Sequence, residues 1–177
     1  MGKHVIGALV SSVLLVALTN GAYAATSTTV NIVGTVNTAT CDVVANTQSV
    51  DLGNAAPSDF SGINVPVDKT KQTFSIALQN CSGAGTGQAQ LKVTGPVSNA
   101  GSSYFSKDIN GSVAISLKQD SKEISNGMLV DIGKNNDDDH VLSAIQLPFE
   151  AALKSSSVSP QGSVAVEAPI TFSFVYN

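Results

Sequence analysis

The chain ends in strict alternation. Ile170, Phe172, Phe174 and Tyr176 fall on one face of a strand, Thr171, Ser173 and Val175 fall on the other, and Asn177 follows. A strand so apolar on one face must bury that face, and a closing strand has no successor to cover its open edge. Something else must then pair with it. A second alternating segment near the start is a candidate cover: Val30, Ile32, Gly34 and Val36 share one face, and Asn31, Val33, Thr35 and Asn37 share the other. This cover can come from the same chain or from another copy.

The first residues read as an address. Lys3 and His4 make a short basic start, residues 5–18 are mostly apolar, and Ala22-Tyr23-Ala24 has the small-x-small pattern of a signal-peptidase site, so cleavage is expected after Ala24. The apolar run is short against the ~20 residues a membrane span needs, which leaves an uncleaved anchor as the weaker alternative. Cleavage leaves 153 of the 177 residues, enough for one domain with its own core. The net charge then moves from −4 to −5 with the loss of Lys3, and the chain has no Arg. Nucleic acid, which is held by clustered Lys and Arg, is excluded as an expected partner.

Cys41 and Cys81 both lie in the exported part. In an oxidising compartment an isolated pair reads as one disulfide, the alternative being two buried free thiols. No His or third Cys sits at ligand spacing, so no metal and no cofactor is expected. Asp137-Asp138-Asp139-His140 reads as a solvated, like-charged loop. His140 is the only histidine left after cleavage, and no nucleophile elbow is present to partner it, so catalysis is not expected. Asn110-Gly111-Ser112 fits a glycosylation pattern but is read as a turn.

Between the two ends, short apolar runs recur among Gly, Pro, Asn and Asp: residues 49–52, 73–78, 89–93, 113–117, 123–124, 141–147, 149–153 and 164–176. Many short strands at such spacing predict an all-β sandwich. Little helix is expected beyond a turn around residues 55–60. Pro169 marks an edge strand or a bend within the closing run.

The order of these features resembles the pilin subunits of chaperone-usher fimbriae, of the type 1 family. The alternating tail has a central Gly34, and Cys41 follows it. Then come Val50-Asp51-Leu52-Gly53 and Phe74-Ser75-Ile76-Ala77-Leu78-Gln79-Asn80-Cys81. Gly162 precedes the final alternation to Phe174-Val175-Tyr176-Asn177, which is similar to the family's carboxy-terminal recognition motif. The resemblance implies a signal peptide (1–24), a donor-strand extension (25–40) and a pilin domain (41–177). That domain would be an incomplete immunoglobulin-like sandwich lacking its last strand and completed by a donated one.

The implied partners are a periplasmic chaperone, an outer-membrane usher and neighbouring pilin subunits, and the implied destination is a fimbrium on the bacterial surface. Val30, Ile32, Gly34 and Val36 would be the donor positions. Gly162, Ile170, Phe172, Phe174, Tyr176 and Asn177 would form the acceptor groove and the chaperone-recognition end. Burying the three donor aliphatics would contribute about 5 to 8 kcal/mol before ordering costs. A slip of one residue would turn Asn31, Val33 and Thr35 inward and lose most of this. The bland alternative is that the closing aromatics are ordinary sandwich core. Two other function classes remain open: a secreted immunoglobulin-like carbohydrate-binding module, against which the absence of Trp counts, and a surface protein complemented by its own tail.

Overall fold

The computed structural model describes residues 39–160 and 165–177, and they form two antiparallel sheets. The larger has the order β1-β2-β7-β4-β5, built from Thr40–Ala45, Gln72–Ser82, Gln146–Ser155, Val113–Gln119 and Lys122–Glu123. The smaller has the order β6-β3-β8, built from Leu129–Ile132, Ala89–Thr94 and Thr171–Tyr176. The core lies between them. Leu91, Val93 and Ile132 from the small sheet meet Ile76, Leu78, Leu117 and Phe149 from the large one.

Period-two alternation explains the layers. In β2, Phe74, Ile76 and Leu78 turn inward, while Thr73 and Gln79 stay exposed. The two cysteines are bonded and link β1 to β2 across 40 residues of sequence. Three phenylalanines join the sheets: Phe172 on β8 meets Phe149 at 5.0 Å and Phe74 at 6.0 Å edge-on, and Phe74 stacks on Phe149 at 5.6 Å.

The sandwich matches the expected class, and several elements differ from the sequence reading. Residues 49–52 form no strand. Residues 141–147 are divided between a short helix α1, Asp139–Ser143, and the start of β7. The Asp138 carboxylate caps that helix by accepting from Val141 N at 2.9 Å, so the acidic run starts a helix where a loop was expected. The two strands expected on either side of Pro148 are one continuous β7. Leu78 N donates to Ile145 O, so ladder bonds alternate through Leu147 and Phe149, and the nitrogen of Pro148, opposite Ser75, points away from β2. It lies beyond Glu150, the last β7 residue paired with β4, so the proline costs no ladder bond.

The closing strand is shorter than expected and begins at Thr171, just past Pro169. Alternation nevertheless persists upstream of it, with Val166, Ala168 and Ile170 half-buried and Ala165, Glu167 and Pro169 exposed. The turn expected within 55–60 is present as a 3-10 turn, Pro57–Asp59. β1 and β6 carry no counterpart among the expected strands.

Candidate functional site

β8 pairs with β3 alone among the described strands, from Thr94 opposite Thr171 to Ala89 opposite Tyr176. Asn177 and Gln88 exchange both backbone bonds, at 3.2 and 2.8 Å. In an antiparallel ladder such exchanges recur at every second residue, so Val175, Ser173 and Thr171 direct their backbone groups at β3. Phe172, Phe174 and Tyr176 therefore direct their N–H and C=O groups at the other edge, where no described strand pairs with them. The edge is open.

A groove runs along this edge. One wall is residues 45–52, the other is residues 166–172, and the floor is Phe74, Ile76, Ile115, Leu117 and Ala151. Its volume is about 590 Å³, and a further cavity of about 360 Å³ shares Val50, Leu52, Ile115 and Val166 with it and continues to Phe60 and Pro160. The floor is built by the inward faces of β2 and β4, each supplying two alternate residues, and by Ala151 of β7. Apart from the Glu167 carboxylate at one wall and Asp51 in the continuing cavity, the lining carries no charge. Its chemistry is that of a slot for an extended apolar segment, with unpaired backbone groups along one side.

Of the predicted acceptor residues, two lie in this groove. Ile170 and Phe172 line the groove, while Phe174 is half-buried against the core. Tyr176 is almost fully buried, and its hydroxyl accepts from Gly85 N and Thr86 N, each at 3.0 Å. The side-chain amide of Asn177 donates to Gln90 Oε1 at 3.0 Å. The chain end is thus fixed to the turn preceding β3. Gly87 allows this, because a Cβ there would collide with the backbone O of Asn177 and the ring of Tyr176. Gly162 and the donor positions Val30, Ile32, Gly34 and Val36 lie outside the described residues.

Sequence reasoning missed the opposite wall. Val50 and Leu52 line both cavities, and their alternation in Val50-Asp51-Leu52 was the available signal, read there as a strand of a sheet. Among the described residues no cluster of His, Cys, Asp and Glu is arranged to hold a metal ion.

Comparison with known proteins agrees with this architecture. The fold is similar to the P pilus rod subunit PapA (TM-score 0.55, 23% identity, covering 77% of this chain and 99% of that one). It is also similar to a subunit from a chaperone-usher pilus structure concerned with rod uncoiling (TM-score 0.52, 22% identity, 86% and 97%). An antigen and type I fimbria protein of Burkholderia pseudomallei gives a TM-score of 0.53 at 19% identity, covering 78% of this chain and 99% of that one. A search of curated proteins finds no match. The family model described as Fimbrial protein matches residues 18–177, and with an open-edged immunoglobulin-like sandwich behind that match, the chain belongs to the fimbrial protein family.

Proposed function

We propose that the chain is a non-enzymatic structural subunit of a surface fimbria that polymerises by donor-strand exchange and supports adhesion. The observation that carries this reading is the open edge of β8 above an uncharged groove floor. An extended segment laid there gains backbone hydrogen bonds from Phe172, Phe174 and Tyr176 and buries its alternate side chains in the groove. The tail of the next copy, through Val30, Ile32, Gly34 and Val36, has the required period and no formal charge. Export through the periplasm calls for a chaperone to cover the same edge until an usher joins the copies, because an unpaired apolar edge is an aggregation site.

The test compares the exported domain with its tail deleted against the same domain carrying a second copy of residues 26–40 fused after Asn177. The fused form is expected to be monomeric and to unfold at markedly higher temperature. Equal stability of the two forms would mean that the sandwich is complete without a donor. In the full chain, Ile32→Asp and Gly34→Leu are expected to leave a domain that folds with chaperone but yields no denaturant-resistant ladder; ordinary fibres from either variant would refute the assignment of the tail.

A further inference from the structure

Lys154 is the only charged residue in the buried set of the described chain. Phe149 and Ala151 on β7 face the core, so Lys154 projects from the opposite face of the sheet, where two loops close over it. Its side chain is fully buried, and Nζ donates to Glu123 Oε1 at 2.6 Å, Asn64 Oδ1 at 2.8 Å and Ser103 Oγ at 2.9 Å. The Tyr104 ring covers it, with its centroid 4.0 Å from Nζ. Asn64 is itself fixed: its backbone N–H donates to Ser155 O at 2.8 Å, and its φ of 61° holds it in the left-handed region.

These positions set an amine directly beside an amide. With the Oδ1 contact at 2.8 Å and a C=O bond of about 1.23 Å, the side-chain carbonyl carbon of Asn64 lies within about 4 Å of Nζ. Burial pushes the Lys154 ammonium toward its neutral, nucleophilic form, with the Glu123 hydrogen bond opposing that shift. The carboxylate of Glu123 is in contact with the proton that must leave. Asn64 is exposed on its outer side, which gives a small leaving group a path to solvent.

We infer that Lys154 and Asn64 become joined by an intramolecular isopeptide bond, with Glu123 as general base. Glu123 takes a proton from the ammonium, and the freed lone pair of Nζ attacks Cγ of Asn64. The resulting tetrahedral carbon collapses as protonated Glu123 returns the proton to the amide nitrogen. The C–Nδ2 bond breaks and ammonia leaves, taking up the remaining Nζ proton as ammonium. An ammonium and a primary amide give a secondary amide and an ammonium ion, with no oxidant or co-reactant. The bond would staple the segment before Val67, which packs with Phe60 beside the groove, to β7.

The test is peptide mapping of the chain purified from cells, after reduction and digestion on the carboxyl side of lysine. The expected product is a branched peptide joining the segment that ends at Lys69 to the uncut stretch from Asn135 to Asn177, about 17 Da lighter than the two together. A linear peptide from Asn135 to Lys154 as the product would overturn the proposal. Glu123→Gln keeps a hydrogen-bonding partner and removes the base, so it is expected to give the linear peptide. The branched peptide from that variant would overturn the role assigned to Glu123.

Discussion

Tyr176→Phe removes one oxygen and leaves the ring stacked on Phe174, with centroids 6.2 Å apart, so it isolates what the hydroxyl does. That oxygen accepts from two backbone amides, Gly85 N and Thr86 N, both at 3.0 Å. Each bond contributes about 0.5 to 1.5 kcal/mol net, and a donor left buried without a partner costs more. Thr86 is exposed, so water can replace its bond in the variant, whereas Gly85 is half-buried and replaces its bond less well. The expected loss is about 1 to 2 kcal/mol, or roughly 2 to 8 °C in Tm for a domain of this size. Urea unfolding of the domain with a fused donor tail would read the loss as a shift in midpoint at unchanged slope. Amide exchange should accelerate at Gly85 and Thr86 first. A loss below about 0.5 kcal/mol, with exchange at those two amides unaltered, would show that the hydroxyl does not fasten the chain end.

Phe172→Ala should cost about 3 kcal/mol or more when the groove is filled and clearly less when it is open, because Phe172 is half-buried in the described chain; Phe105→Ala, with Phe105 wholly buried, should cost the same in both forms. Equal costs for Phe172→Ala in paired urea titrations would mean that no strand covers this ring. Replacing Cys41 and Cys81 by Ala opens a loop spanning 40 residues and should remove about 4 kcal/mol in the chain-entropy model, seen as a lower urea midpoint. Gly87→Ala should displace the chain end and lower stability by about 1 to 3 kcal/mol, with near-ultraviolet dichroism of Tyr176 reporting the shift.

The sandwich was legible because strands buried on one face alternate, and the closing run carried the clearest alternation together with Ile170 and Phe172, which line the groove. Where alternation misled, another force had decided. Val141, Ser143, Ile145 and Leu147 share a period of two, yet an Asp138 cap starts a helical turn across the first pair. Val50 and Leu52 alternate because they line a groove, with no ladder beside them. β1 was hidden because only Cys41 and Val43 turn inward before the exposed Val44 and Ala45, too brief an alternation to stand out. Lys154 was invisible for a different reason: alternation places it on the outer face of β7, and only loops from distant parts of the sequence bury it there. Such burial is a tertiary fact with no local pattern.

In β8 the residues whose side chains pack inward, Phe172, Phe174 and Tyr176, also hold the backbone groups that no described strand pairs, while the side chains of Thr171 and Ser173 stand in solvent. A substitution at Thr171 or Ser173 therefore changes a solvent-facing side chain and leaves the packing alone, whereas one at Phe172, Phe174 or Tyr176 repacks the core behind the backbone edge.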